Sequence, residues 1–296
     1  MFVLAHLSDP HLGPLPRPRL RDLVGKRATG FLHWQRTRRL IHRGDVLARI
    51  AADVKAQKPN HIAVTGDLVN ISLAGEYAPA RAWLQSLGDM RDVSLVPGNH
   101  DAYVRRTSAH PQLHWGDYMR GDEGSASNFP FLRRRGPLAL IGLSSAVPTL
   151  PLLSTGRLGP AQIARLAELL AACRNEGLFR VVMVHHPPTS RAARYLKRLV
   201  DAAALRAVLA SQGAELVIHG HDHVHSLVYL AGPQYCVPVL GVPSASQAPR
   251  GMQAAGYNLY RIEGCAGAWR CEAVARGLAP GSDGIAELKR IVLPGE

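Results

Sequence analysis

Cysteine is scarce in this chain. Its four residues, Cys173, Cys236, Cys265 and Cys271, have no metal-type spacing, and four in 296 residues do not make a disulfide framework. That excludes a disulfide-stapled fold and a thiolate zinc module, and it fits a reducing compartment, so a cytoplasmic setting is expected. Long apolar runs are also missing. No stretch of about 18 apolar residues occurs, so no membrane-spanning helix is expected. The apolar start, Met1 to Leu7, is too short for a secretory signal and runs directly into Ser8-Asp9. Internal repeats and low-complexity linkers are absent. Acidic residues are few: 22 Asp and Glu face 35 Lys and Arg, a formal charge of +13. Such a balance points to phosphate-bearing partners, whether nucleic acid, anionic lipid or an anionic small substrate.

What is present is a 47% hydrophobic chain, long enough for one large α/β domain. Short apolar runs alternate with helical patterns. Phe2 to Leu7, His61 to Thr65, Val93 to Val96, Arg180 to Val184 and Glu215 to Ile218 read as buried strands. Helices are predicted from an Asp45 N-cap to before Lys58, over Glu76 to Leu87, over Ala161 to Cys173, and within Arg191 to Ser211. Phe129 to Leu132 and Leu138 to Ser144 read as a strand pair around Arg133-Arg134-Arg135-Gly136. Tyr103 to Asn128 reads as loop-rich. From about residue 226 the pattern is β, over 227–230, 237–240, 257–262, 269–274 and 285–293. Strand–helix–strand alternation argues for a largely parallel, doubly covered sheet.

The predicted strand ends are unusual. They carry Asp9 and His11, then Asp67, then Asn99 and His100, then His185, then His221 and His223. In open α/β sheets, sites form outside the carboxyl ends of strands, so five turns are expected to converge on one crevice. Imidazole nitrogens with carboxylate and amide oxygens suit Mn, Fe, Zn or Co. The run Val96-Pro97-Gly98-Asn99-His100-Asp101 adds an imidazole for proton transfer and a carboxylate placed to orient it.

Asp9-x-His11, Gly66-Asp67, Gly98-Asn99-His100-Asp101, a strand-ending His185 and Gly220-His221-x-His223 together resemble the calcineurin-like metallophosphoesterases, in order and over roughly residues 2 to 225. The resemblance implies an α/β, four-layer sandwich of two mixed β-sheets flanked by helices, spanning 1–296 as a single domain. It implies two divalent metal ions, one on Asp9, His11, Asp67 and His223, the other on Asp67, Asn99, His185 and His221. Asp67 would bridge them, and a metal-bound hydroxide would attack phosphorus. His100 would protonate the leaving oxygen or bind developing charge, with Asp101 as its orienter. His186 and His225 lie beside the pattern but outside its ligand set: His186 is expected behind the ligands or facing substrate, and His225 either there or at the surface.

The Pro97 to Asp101 and His185 to Pro188 segments look most like the cyclic-nucleotide and glycerophosphodiester phosphodiesterase branch. UDP-diacylglucosamine pyrophosphatases typically carry Arg after the metal-binding Asn, where this chain has His100. A DNA nuclease and a non-catalytic metal-dependent binding scaffold also share the pattern. A full ligand set argues against the scaffold, and nucleic acid is possible without being favoured.

One segment departs from the compact phosphodiesterases. Residues 14–43 form a basic insertion with nine Lys or Arg and one acid, Asp22. Leu20, Leu23 and Val24, and Phe31 and Trp34, have helical spacing within it. A lid over the site, a peripheral contact with anionic membrane through 17–43, and a solvated flap are its three readings.

Overall fold

The computed structural model describes the chain except residues 123–128, 190–191, 250–252, 280, 282–283 and 295–296, and the side chains of 192–194. Two six-stranded sheets organise it. One has the order β12 (Ile285–Leu293), β11 (Arg270–Leu278), β10 (Gly256–Glu263), β1 (Phe2–Leu7), β2 (His61–Val64), β3 (Val93–Leu95). The other runs β4 (Phe131–Arg135), β5 (Leu138–Gly142), β6 (Phe179–Met183), β7 (Leu216–His219), β9 (Val237–Gly241), β8 (Ser226–Leu230). Strands β1, β2 and β3 are parallel, as are β5, β6, β7 and β9. The antiparallel pairings come from β4, β8 and the β10–β12 meander. Both sheets are therefore mixed, and the late β segment contributes to each.

Why the strands read as continuous apolar runs is plain from their two faces. Leu4, Ala63, Val181, Met183, Leu216 and Ile218 pack between the sheets. Their neighbours in sequence point the other way: Ala5, Ile62 and Val64 meet one helical layer, Val182 and Val217 the other. Strands buried on both faces cannot alternate with polar residues. Helices Gly44–Ala56 and Tyr77–Leu87 cover the first sheet with Val46, Ile50, Val54 and Leu84. Pro160–Asn175 and Ala202–Gln212 cover the second with Leu166, Leu170, Leu205 and Leu209. The result is helix, sheet, sheet, helix, as expected.

Local corrections follow from tertiary context. Asp45 does not cap its helix; the N-cap is Arg43, and the Asp45 carboxylate takes the Arg43 guanidinium instead. Arg133, Arg134 and Arg135 lie on β4, and the turn is at 136–137, because buried Arg133 donates to the carbonyls of Met90, Val93, Asp117 and Arg120. The region read as loop holds a short helix, His110–Trp115, anchored by buried Trp115 donating to the Tyr77 carbonyl. The stretch read as helical from Arg191 is a 3-10 helix, Ala192–Lys197, and then Ala202–Gln212; Arg191 lies outside the described residues.

The basic insertion is helical over Lys26–His33, widens to a π-helical Trp34–Arg38 and ends at Ile41. Leu20–Asp22 is a single 3-10 turn. The segment is docked, which removes the solvated-flap reading. Arg27 is buried and donates to the carbonyls of Ile71 and Ser72 and to the Thr107 hydroxyl. Lys26 is buried too, with its ammonium 4.3 Å over the Tyr103 ring.

Candidate metal centre

Five parallel strands, β1, β2, β3, β6 and β7, end side by side where the two sheets meet. The turns after them must aim consecutive side chains into one space, and the backbone shows the cost. Asp9, His11, Asp67, His221 and His223 all have positive φ, between 40° and 67°. Non-glycine residues seldom adopt that conformation, and it persists where the surroundings fix it. Gly98 and Gly220 are needed for close approach. A Cβ at Gly98 would collide with the Asp67 carboxylate and the His185 ring, and one at Gly220 with Ser8 and Asp9.

The ligand atoms form two groups sharing Asp67. In the first, Asp9 Oδ1 lies 3.0 Å from His223 Nε2 and 3.8 Å from His11 Nε2, and His11 Nε2 lies 3.9 Å from Asp67 Oδ2. In the second, His185 Nε2 lies 3.4 Å from Asp67 Oδ2 and 3.2 Å from Asn99 Oδ1. Ligands held about 2.1 Å from one ion are themselves about 3–3.5 Å apart; the 3.0, 3.2 and 3.4 Å spacings match such edges, and the 3.8 and 3.9 Å spacings to His11 are a few tenths of an ångström wider. Tautomers are set from behind. His11 Nδ1 donates to the Val69 carbonyl at 3.2 Å and His185 Nδ1 to that of Thr65 at 2.6 Å, leaving Nε2 of each for the centre. His221 joins the second group at 5.1 Å between rings from His185, with its Nε2 turned to the Lys197 carbonyl.

Burial pushes the His185 pKa down, but the carboxylates of Asp67 and Asp9 outweigh it and lift it to about 10. Two buried carboxylates demand a positive charge here. Carboxylate and amide oxygens with imidazole nitrogens, and no thiolate, fit a pair of divalent cations.

Asp101 is not where the sequence suggested. Its carboxylate accepts the backbone N–H groups of Asp67, Leu68, Val69 and Gly98, at 2.8 to 3.2 Å. It ties the β2 turn to the β3 turn and does not orient His100. Burial and the Asp67 charge push its pKa up to about 7, against those N–H donors, which favour the carboxylate. His100 instead donates from Nδ1 to the Asn70 carbonyl and stacks on Tyr103 at 5.2 Å between centroids. Burial, then the Arg38 charge, push its pKa down to about 3.

Two residues of the insertion enter the site, and a third backs them, none carried by a motif. Arg38 places Nη2 3.1 Å from His11 Nε2 and Nη1 3.1 Å from His100 Nδ1. His42 packs at a tilt against His11, 4.4 Å between ring centroids, and forms a potential ligand group with His11 and His223. Lys26 sits one layer out. Their only sequence signal was position, just after His11. His186 is buried behind His185 and His221 and hydrogen-bonded to the Ser145 hydroxyl and Ser154 carbonyl, as expected of a supporting residue. His225 is exposed.

An open cleft of about 660 Å³ lies over this centre. His42, Gln247 and Gln253 line it beside the first ligand group, and Ser154, Tyr195, Leu196 and Lys197 beside the second.

A model of the calcineurin-like phosphoesterase family matches residues 2–225. Among solved structures, a dimetal phosphatase from Danio rerio aligns at TM-score 0.59 and 12% identity, covering 98% of each chain. A purple acid phosphatase from yellow lupin seeds aligns at TM-score 0.63 and 9% identity, covering 98% of this chain and 53% of that one. Both likenesses are of fold. No curated protein matches.

Proposed function

The chain belongs to the calcineurin-like phosphoesterase family, and from that premise we propose that it is a dinuclear metal-dependent phosphodiesterase. The observation that carries the reading is Asp67: one carboxylate between two ligand groups, at the base of a cleft that continues past both. A diester carries a substituent on either side of phosphorus, and this cleft has room on either side of its centre. Asp9, His11, Asp67 and His223 would hold one ion, Asp67, Asn99, His185 and His221 the other. Bound there, the pair supplies Lewis-acid activation of water and neutralises phosphoryl charge.

The rest falls to side chains. Arg38 lines the cleft with its two Nη atoms 3.1 Å from His100 Nδ1 and His11 Nε2; with an ion on His11, that guanidinium would turn its N–H groups to phosphoryl oxygens. His100, with its proton on Nδ1, has an open Nε2. Arg38 disfavours a second proton there. An arriving phosphate anion offsets Arg38 and favours imidazolium, the form that can protonate a leaving oxygen.

A second reading has one observation behind it. The pyrophosphatase branch carries an arginine after its metal-binding asparagine. Here that place is His100, but the Arg38 guanidinium lies against it in space. A pyrophosphate linkage is therefore the alternative substrate for the same machinery.

The test is turnover by manganese-loaded protein with metal content measured alongside. Bis(p-nitrophenyl) phosphate should be cleaved with kcat/KM at least about tenfold above p-nitrophenyl phosphate. Arg38→Ala should raise KM, and His100→Ala should harm esters with poor leaving groups most. Preference for the monoester by fully metallated protein would end the phosphodiesterase reading. Preference for a nucleoside diphosphate ester over both would select the pyrophosphate one.

A further inference from the structure

Large apolar side chains stand exposed on the three segments that border the cleft. Leu32 and Leu40 of the insertion, Leu150 and Leu152 of the loop after β5, and Tyr195 and Leu196 before helix Ala202–Gln212 are 48 to 83% exposed. Leu152 is held at φ 67°, a strained conformation for leucine that leaves most of its surface exposed.

These three segments meet. Lys26 Nζ donates to Thr149 Oγ1 at 2.5 Å, joining the insertion to the loop. Ser154 N donates to the Leu196 carbonyl at 3.0 Å, joining the loop to the third segment. All three border one opening, through His33 and Ile41, Ser154, and Tyr195 to Lys197. The insertion turns Arg27 inward, buried, and Arg38 into the cleft. Leu32, Arg36, Arg39 and Leu40 are exposed.

Charge follows the same surface. Arg36, Arg39, Arg157 and Lys197 are exposed on the same three segments. Residues 146–158 contain no acid. The Asp201 carboxylate at the end of the third segment accepts the N–H groups of Leu158 and Gly159. Exposed leucines beside cations that form no ion pair among the described residues complement one surface above others: headgroup phosphates over acyl chains.

We propose that this rim docks on an anionic lipid bilayer, turning the cleft mouth to the headgroups so that an amphiphilic phosphoester enters without crossing water. The docking stands without the hydrolase reading; the substrate consequence rests on it.

The experiment is co-sedimentation of the full, manganese-loaded chain with phosphatidylcholine vesicles, with and without phosphatidylglycerol. The protein should bind the anionic vesicles and be released by salt. Leu40→Ser with Leu152→Ser should weaken binding by roughly tenfold or more, since each leucine loses its apolar contact. Arg36→Gln with Arg39→Gln should do the same, at roughly fivefold per charge. Both variants should still cleave a soluble chromogenic diester, which checks their fold. No binding to anionic vesicles would overturn the proposal. Binding indifferent to the leucines would overturn it as well, leaving only net charge. Single-stranded DNA that binds more tightly and displaces vesicles would reassign the surface to nucleic acid.

Discussion

Two aspartates show how position assigns chemistry to one residue type. Asp67 and Asp101 are both buried and close in space. Asp67 turns Oδ2 to the imidazoles of both ligand groups and accepts the His100 N–H on Oδ1, while both oxygens of Asp101 accept backbone N–H groups, four in all. Their variants should therefore fail differently. Asp67→Asn would remove a negative charge between the two proposed dications. Occupancy of at least one metal position should fall, and turnover by orders of magnitude, while the thermal transition in chelator stays near the parent's. Elemental analysis after gel filtration, paired with calorimetry, checks both halves. Asp101→Asn should instead lower stability by roughly 2–4 kcal/mol, since its amide N–H₂ would face backbone donors. It should loosen metal binding only as a consequence of the shifted turns. A urea midpoint unchanged from the parent's would deny Asp101 that structural role.

At the scale of the element, the insertion is a wall of the site, fixed by inward-facing cations. Arg27 is its anchor, tied to the turn that follows Asp67. Arg27→Ala should leave the Ile71 and Ser72 carbonyls unpaired and cost roughly 2–3 kcal/mol. The exposed stretch at 17–25 should then be cut sooner by trypsin, and KM should rise as Arg38 loses its mount. Unaltered proteolysis and KM would show the insertion to be held by its apolar contacts alone, Leu23 and Phe31 against Ile71, Leu73 and Tyr103.

For the whole molecule, buried histidines tie stability to pH. His61 on β2 is fully buried, bonded through Nε2 to the Ser94 hydroxyl at 2.8 Å. Burial, with Arg135 and Arg133 nearby, pushes its pKa down to about 3. Its unfolded value is near 6.5, so between those two pH values the unfolded chain binds the extra proton. Acid therefore favours unfolding through that window, and the loss is complete once pH reaches the folded value. His61→Gln should lose about 2 kcal/mol less than the parent between pH 7 and pH 5, as read from urea midpoints. Parallel pH profiles would mean that His61 is protonated within the fold.

The sequence by itself determined the strands, the main covering helices and the candidate metal-ligand residues. Strands buried on both faces must be apolar throughout, and the polar residues that break them at one end stand out: Asp9, His11, Asp67, Asn99, His185, His221 and His223. Local pattern carries that much because each strand end is a local event. Tertiary structure alone decided what the remaining polar groups do. Asp101 follows His100 in the chain, but buried N–H groups from two turns needed an acceptor, and that need took the carboxylate from the imidazole. Arg38 and His42 sit in a stretch whose composition reads only as basic, and they become part of the site because buried Arg27 and Lys26 fix the direction of the helix that carries them. Whether a charge meets solvent or a cleft depends on contacts between residues far apart in sequence, which no spacing along the chain encodes.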